Sequence, residues 1–226
     1  MLYLKRGTVM KPAVIFDFNG TMVFDGIYHE QAWKEFSKAL RKEPFTDEEM
    51  QMMHGKPNVK IIEYLKPDVT FEEANKLSEA KEALYREIAL QAGTQYHLVD
   101  GLEDFLNKLH DLNIPMNIAS ASILANIKFF IDVFRLDRWF DPQKIVYDDN
   151  TYENKIAMFK KAAANIRCDI QDCYVFEDSI TGIRCAHEAK AKGIIVITHS
   201  NTADFPGVIK TIEDYLAMDE ICALLK

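Results

Sequence analysis

The sequence predicts an α/β fold, a doubly wound parallel sheet with an inserted all-helical domain. Short apolar runs of strand length alternate with amphipathic helical segments over most of the 226-residue chain, which is typical of a parallel sheet covered by helices on both faces. Residues 26–97 differ, because they show helical periodicity almost throughout and no convincing strand. We therefore expect a core of residues 1–25 and 98–226, with a helical domain of residues 26–97 inserted after the first strand.

The first strand is expected at residues 12–17, a continuous apolar run that ends in an aspartate. Further strands and helices alternate along the second part of the core. The strands are expected at Ile114–Ala119, Ile145–Tyr147, Cys173–Phe176 and Gly193–Thr198. The helices are expected at Leu102–Leu112, Leu124–Phe134, Lys155–Ile166, Thr181–Lys190 and Ile212–Leu225. Right-handed crossovers bring the carboxyl ends of the strands to one edge of the sheet, where such folds bind ligands.

The inserted domain is expected to consist of helices separated by turn residues. Pro44, the segment Gly55-Lys56-Pro57 and Pro67 interrupt the helical pattern. The expected helices are Tyr28–Arg41, Asp47–His54, Asn58–Leu65 and Phe71–Ala92. Because the insert comes directly after the first strand and its loop, we expect it to form a cap domain over the edge of the sheet where ligands bind.

Composition and charge narrow the class of function. A hydrophobic content of 48% and a net charge of −8 predict a sizeable core and argue against a nucleic-acid-binding face. No apolar stretch approaches the length of a membrane span, and the first ten residues lack the apolar region of a signal peptide. The four cysteines show no Cys-x-x-Cys spacing, which favours reduced thiols. We expect a cytoplasmic protein that binds neither nucleic acid nor membranes.

Polar residues follow several of these strands, and the first group is Asp17-Phe18-Asn19-Gly20-Thr21. Taken alone, an aspartate here could cap a turn, and Asn-Gly is a common turn pair. The strand that ends at Ala119 is followed by Ser120-Ala121-Ser122. A hydroxyl at this edge could donate to a phosphate oxygen or cap the next helix, whose N-terminus is itself an anion site.

Two carboxylates, Glu177 and Asp178, end the strand that begins at Cys173. Adjacent carboxylates at the end of a buried strand are costly unless something compensates their charge, and oxygen ligands alone fit Mg²⁺. The alternative is an exposed acidic turn that caps the helix from Thr181. Lys155, at the start of another helix, could pair with Asp17 and with a phosphate, or could be an ordinary solvated lysine.

In the order Asp17, Ser120, Lys155 and Glu177-Asp178, these positions resemble the motifs of the haloacid dehalogenase (HAD) superfamily. The segment Glu177–Ile183 and the place of the helical insert resemble the β-phosphoglucomutase-like group. The resemblance covers the chain from Met10 onward. It implies a Mg²⁺-dependent phosphohydrolase that acts on a small phosphorylated metabolite through an aspartyl-phosphate intermediate. The expected substrate is a sugar phosphate.

The resemblance also implies a role for individual residues. Asp17 would be the nucleophile, and Asn19 would offer its backbone carbonyl to the metal. The implied catalytic residues are Asp17, Asn19, Ser120 and Lys155, and the implied metal ligands are Asp17, Asn19, Glu177 and Asp178. The implied substrate-binding residues are Gly20, Thr21, His29, Trp33, Gly55, Lys81 and Ser122.

The sequence departs from the family pattern at three points. Asn19 stands where an acid/base aspartate is usual, and a carboxamide cannot titrate. The segment around Lys155 is shorter than usual, so Glu153 could occupy the lysine position instead. Asn58 stands where the mutases carry an arginine that binds the distal phosphate, and the lysines Lys56 and Lys60 nearby lack its bidentate geometry. We therefore expect a hydrolase rather than a mutase.

Four explanations for Asn19 remain open at this stage. The substrate could have a good leaving group, another residue such as His29 could act as the acid, Asn19 could deamidate, or the protein could mainly bind its ligand. Besides the hydrolase, the sequence therefore allows a sugar-phosphate mutase and a weakly active phosphometabolite-binding module. Enzymes of this superfamily that cleave carbon–halogen or carbon–phosphorus bonds also lack the second aspartate, but Glu177-Asp178 argues against a metal-free dehalogenase.

Overall fold

A parallel β-sheet forms the centre of the computed structural model, which describes residues 12–53, 55–198 and 204–225. The strands are β1 (Ala13–Phe16), β2 (Met116–Ile123), β3 (Val146–Asp148), β4 (Cys173–Glu177), β5 (Gly193–Ile197) and β6 (Val208–Ile212). Within the described residues they form one six-stranded sheet in the order β3-β2-β1-β4-β5-β6, and every pair is parallel. The predicted fold class is confirmed.

Strand β1 lies between β2 and β4 and places the first polar segment at the centre of the sheet. Its register pairs Ile15 with Asn117 on one side and with Val175 on the other. All four residues of β1 are fully buried, which explains why the strand is a continuous apolar run rather than an alternating one. The carboxyl ends of β1, β2 and β4 are consequently neighbours.

Helices occupy most of the remaining chain. They are α1 (Gly26–Arg41), α2 (Asp47–Met53), α3 (Asn58–Leu65), α4 (Phe71–Gln91), α5 (Leu102–Asp111), α6 (Leu124–Phe134), α7 (Lys155–Asn165), α8 (Ile180–Glu188) and α9 (Met218–Leu224). In the described part of the chain, no helix combines the length and hydropathy needed to cross a membrane. The expectation for the first ten residues, and His54 as the end of the second helix, lie outside the described residues.

The chain divides into two compact units, Phe24–His97 and the described parts of Met1–Val23 with Leu98–Lys226. We call the first the helical unit and the second the sheet unit. The helical unit has a core of its own. Its buried apolar residues are Trp33, Phe45, Met53, Ile61, Ile62, Leu65 and Ala74.

The last strand and the last helix of the sheet unit differ from their predictions. Strand β6 was not predicted, because this edge strand is largely exposed and the adjacent polar residues Lys210 and Thr211 interrupt its apolar residues. The helix expected from Ile212 begins only at Met218. The spacing of Ile212, Tyr215 and Ile221 mimics a helix, but Ile212 belongs to β6 and Tyr215 is buried in the loop that follows it.

Strand β2 also runs further than predicted. It continues past Ala119 to Ile123, and its pairing with β3 shifts register between these residues. Helix α6 therefore begins only at Leu124, and no side-chain hydrogen bond caps it. The alternative that Ser120 or Ser122 caps this helix is wrong, because both serines are strand residues.

Candidate active site

The carboxyl ends of β1 and β4 bring three carboxylates together. The backbone N–H of Asp17 donates to the carbonyl of Phe176 at 2.9 Å, which fixes the end of β1 against β4. Asp17, Glu177 and Asp178 each contribute an oxygen atom, and these atoms lie within 4.8 Å of one another. Asp17 and Glu177 are buried, so the alternative of an exposed acidic turn is wrong for this segment.

Lys155 supplies the positive charge next to these carboxylates. Asn154 caps helix α7 by accepting from the backbone N–H of Ala157 at 3.2 Å, and Lys155 is the first residue of that helix. Its Nζ lies 2.7 Å from Asp17 Oδ1 and also donates to Glu177 Oε1. Glu153 is exposed, so Lys155 rather than Glu153 is the residue beside Asp17.

Glu177 has a second function that the sequence did not indicate. Its Oε2 accepts from the backbone N–H groups of Asp178 at 2.8 Å and of Ser179 at 2.7 Å, and from the Ser179 hydroxyl at 3.0 Å. A Cβ atom at Gly182 would overlap the Glu177 carboxylate, which explains the glycine in the first turn of α8. Glu177 thus holds the turn that carries Asp178 and also contacts Lys155.

The protonation of the cluster follows from its burial. Burial raises the pKa of Asp17 from 3.8 to about 7, with Lys155 opposing the shift and Glu177 adding to it. Burial also raises the pKa of Asp178 to about 8, and the charges of Glu177 and Asp17 contribute. Burial alone would lower the pKa of Lys155, but the two adjacent carboxylates raise it. When ionised, the three carboxylates carry more negative charge than one lysine balances, and converging carboxylate oxygens fit Mg²⁺.

The loop after Asp17 is shaped by its glycine and by a buried tyrosine. Gly20 has a φ of +80°, and a Cβ atom there would overlap the Asp178 carboxylate, so this turn requires glycine. The Thr21 hydroxyl lies 3.5 Å from Asp17 Oδ2 and 3.4 Å from Asp178 Oδ1. Tyr215, which sequence reasoning missed, donates its hydroxyl to the carbonyl of Thr21 at 3.1 Å. No sequence signal marked Tyr215, because it lies in a segment predicted as helix.

Asn19 completes the sheet-unit residues at this edge. Its side-chain oxygen accepts from the Ser122 hydroxyl at 2.7 Å and, at the longer distance of 3.5 Å, from the Ser120 hydroxyl. The structure thus brings together all of the residues predicted in the sheet unit. Within that group, Ser122 contacts the side chain of Asn19.

Three of the residues predicted in the helical unit also lie together. Lys81 is 1% exposed, and its Nζ lies 2.9 Å from His29 Nδ1 and 5.0 Å from the centre of the Trp33 ring. It also donates to Glu82 Oε1 at 2.7 Å. Burial lowers the pKa of Lys81, and Glu82 opposes this shift. Gly55 lies in the turn before α3 with a φ of +73°, which explains the glycine at this position.

The sequence did not identify the partners of this cluster. Glu82 Oε1 accepts from the Asn58 amide at 2.6 Å, and the His29 ring stacks on Tyr85 at 3.8 Å between centroids. The Tyr85 hydroxyl donates to Asp25 Oδ2 at 2.5 Å. Glu82 and Tyr85 are regular members of a helical pattern, so no sequence signal separated them from ordinary core or surface positions.

A model of the haloacid dehalogenase-like hydrolase family matches residues 11–190. The chain belongs to this family. The resemblance to the HAD superfamily is therefore confirmed, and the family is one of hydrolases. The four positions that suggested the family, namely Asp17, Ser120, Lys155 and Glu177-Asp178, all lie at one edge of the sheet.

Individual relatives agree with this assignment. The chain is similar to a crystal structure of a HAD hydrolase, family IA, variant 3, from Entamoeba histolytica, with 34% identity, a TM-score of 0.85, and coverage of 92% of this chain and 94% of that one. A β-phosphoglucomutase structure from Clostridium difficile shares the fold at 19% identity and a TM-score of 0.72, with coverage of 95% and 96%.

A curated relative is the chloroplastic 5-amino-6-(5-phospho-D-ribitylamino)uracil phosphatase of Arabidopsis thaliana. It is 25% identical over 186 residues, which are 80% of this chain and 48% of the relative. The chain therefore spans about half the length of this relative.

Proposed function

We propose that the protein is a Mg²⁺-dependent phosphohydrolase that acts on a small phosphorylated metabolite through an aspartyl-phosphate intermediate. The observation that carries this proposal is the Asp17 carboxylate, which is buried and held by Lys155 beside two further carboxylates. The family supports a hydrolase, and the Arabidopsis relative is a phosphatase.

Asp17 is the proposed nucleophile. One of its oxygen atoms attacks phosphorus, and the bond from phosphorus to the leaving oxygen breaks. A water molecule then attacks the phosphorus of the acyl phosphate, the bond from phosphorus to Asp17 breaks, and inorganic phosphate leaves with both protons of the water while the carboxylate is restored. Lys155 holds Asp17 Oδ1, which orients the carboxylate and leaves Oδ2 as the attacking atom. Lys155 and the Ser120 hydroxyl would stabilise the charge on the phosphoryl oxygens.

Asp17, Asp178 and Glu177, together with the backbone carbonyl of Asn19, are the groups that would hold Mg²⁺. The ion would supply electrostatic stabilisation of the transferring phosphoryl group. Glu177 already accepts three hydrogen bonds from its own turn and one from Lys155. We therefore assign the direct ligation mainly to the two aspartates, with Glu177 holding the turn that positions Asp178.

The proton needed by the leaving oxygen cannot come from Asn19, because a carboxamide does not titrate. General acid–base catalysis contributes about 10²–10⁴-fold in rate, so we propose substrates whose leaving oxygen departs without protonation. Acyl and anomeric phosphates have this property. His29 is less suited to replace the acid, because its Nδ1 contacts Lys81 and its Nε2 lies 3.6 Å from Asp25 Oδ2.

We prefer a hydrolase to a sugar-phosphate mutase because of the contacts of Asn58. Its neutral amide presents no cation for a second phosphate. This amide instead donates to Glu82 at 2.6 Å and to the Ser78 hydroxyl at 3.2 Å. The cap role of residues 26–97 and the cytoplasmic location stay predictions, and the Arabidopsis relative is a chloroplastic protein.

The direct test is hydrolysis of an activated aryl phosphate with and without Mg²⁺. Wild-type protein should show metal-dependent turnover, and Asp17→Ala should abolish it, whereas Asp132→Ala, which changes an exposed aspartate on α6, should retain it. Equal turnover by wild type and Asp17→Ala, or no turnover with any divalent metal, would overturn the proposal. Conversion of β-glucose 1-phosphate to glucose 6-phosphate with a bisphosphate primer would instead indicate a mutase.

A further inference from the structure

The side chain of Asn19 is held by a neighbouring strand rather than left free in its loop. The Ser122 hydroxyl donates to Asn19 Oδ1 at 2.7 Å, a distance typical of a strong hydroxyl hydrogen bond. The Ser120 hydroxyl lies 3.5 Å from the same oxygen, where such a bond is marginal. Ser120 Oγ instead accepts from the backbone N–H of Ser122 at 3.2 Å. Of the two serines, Ser122 therefore restrains the amide.

The extension of β2 explains why Ser122 can reach Asn19. The hydroxyls of Ser120 and Ser122 lie 3.5 and 2.7 Å from Asn19 Oδ1, so both serines face the first loop. Had the strand ended at Ala119, as the sequence predicted, the second serine would have belonged to a turn. The register of β2 against β3 shifts between Ala119 and Ile123, within this extended end of β2.

The backbone on the other side of Asn19 is fixed as well. Asn19 forms a β-bridge with Val23, and the backbone N–H of Gly20 donates to the carbonyl of Val23 at 2.8 Å. Succinimide formation from an Asn-Gly pair requires this Gly20 nitrogen to attack the Asn19 side-chain carbon. Both partners of that reaction are therefore held, the nitrogen by Val23 and the amide by Ser122.

A planar carboxamide has its acceptor oxygen and its donor nitrogen on opposite flanks. With the oxygen bound to Ser122, the orientation of the amide is set, and so is the direction in which its N–H groups donate. The residue thus offers a hydrogen-bond donor of fixed direction where a carboxylic acid is usual. A donor can stabilise negative charge that develops on an oxygen atom without transferring a proton.

We propose that Ser122 is a positioning residue that acts through Asn19, fixing the orientation of its amide and protecting it from deamidation. Its effect on catalysis rests on the proposed function, whereas its effect on deamidation does not. In this assignment Ser122 does not bind substrate directly, which differs from the role implied by the family resemblance. Asn19 then serves as a hydrogen-bond donor of fixed direction and is not simply an aspartate position that has lost its function.

The kinetic test is a double-mutant cycle on an activated aryl phosphate, comparing wild type, Ser122→Ala, Asn19→Ala and the double variant. Loss of one hydrogen bond predicts a fall in kcat of about 3–10-fold for Ser122→Ala, with little change in KM. In the Asn19→Ala background the same substitution should have little further effect. Ser122→Thr, which keeps the hydroxyl, should recover most of the loss. An equal loss in both backgrounds would show a structural role and overturn the proposal.

The second test does not depend on turnover. Wild type, Ser122→Ala and Ser122→Thr are aged at neutral pH, and deamidation at Asn19 is followed by intact mass and peptide mapping. We expect Ser122→Ala to deamidate about 3–10-fold faster than wild type, since one restraint on the amide is lost, and Ser122→Thr to follow wild type. Equal rates for all three proteins would refute the restraint. If no protein turns over any phosphate ester, the proposed function fails while this measurement still decides the role of Ser122.

Discussion

Replacing Lys155 by methionine tests the electrostatic account of the site most directly. The substitution keeps much of the side-chain volume but removes the cation that contacts Asp17 and Glu177. These carboxylates are 7% and 0% exposed in their side chains, so they would be left buried without a partner. Removing one member of a buried ion pair costs about 3–5 kcal/mol. Because the Lys155 side chain keeps 15% exposure, we take the lower end, about 3 kcal/mol.

The assay is thermal and chemical unfolding of the metal-free protein at pH 8, above the raised pKa of Asp17. For a chain of this size, about 3 kcal/mol corresponds to a fall in Tm of roughly 6–12 °C. The deficit should shrink in saturating Mg²⁺, which supplies positive charge, and also at pH 5, where Asp17 is protonated because its pKa is raised to about 7.

Lys160→Met is the matched control, since Lys160 is exposed on the same helix. It should change the free energy of unfolding by less than about 0.5 kcal/mol. If Lys155→Met and Lys160→Met unfold alike in metal-free buffer at pH 8, the claim that Lys155 compensates the buried carboxylates is refuted.

Three further predictions concern the same edge of the sheet. Because the pKa of Asp178 is raised from 3.8 to about 8, its contribution to stability is present below pH 4 and lost as the pH rises toward 8. Asp178→Asn should therefore raise the Tm of the metal-free protein at pH 8 but not at pH 4, and an equal effect at both would contradict the assigned shift. Gly182→Ala should destabilise the protein by more than about 2 kcal/mol in urea unfolding, whereas Gly26→Ala, where a Cβ atom meets nothing within 4 Å, should not. Tyr215→Phe removes the hydrogen bond to the carbonyl of Thr21 and should lower the free energy of unfolding by about 1 kcal/mol in the same assay. An unchanged urea midpoint would contradict this prediction.

The structure bears on the alternatives for Asn19. Deamidation requires the Gly20 nitrogen, which is bound to Val23, so the folded loop opposes conversion to aspartate. A dedicated hydroxyl donor, Ser122, contacts the amide oxygen. Both observations favour an asparagine that the protein uses over one that has merely lost its function.

Local chemistry made much of this site predictable. Asp17, Ser120 and Glu177-Asp178 each follow an apolar run of strand length, and parallel strands bring their carboxyl ends to one edge. Lys155 was less certain in the sequence, because the spacing around it allowed Glu153 instead. Its contact with Asp17 depends on where helix α7 begins, and Asn154 sets that point through a single capping bond.

Other features were beyond the sequence because they depend on distant partners. Tyr215 and Thr21 are 194 residues apart in the chain, and no local pattern links them. The family resemblance implied a substrate-binding role for Lys81, but no local pattern showed that it is buried with His29 and Glu82. Strand β6 was missed because the polar pair Lys210-Thr211 interrupts the apolar residues of this exposed edge strand.

By itself, the sequence determined the fold class and the order of the chemical groups along the sheet edge, because alternating apolar runs and strand-end polar residues are local properties. Only the tertiary structure decided how those groups pair. Lys155 binds Asp17, Glu177 holds the turn before α8, and Ser122 holds Asn19. These pairings depend on strand ends and registers that neighbouring strands impose, and a shift of one or two residues there changes which side chain each group meets.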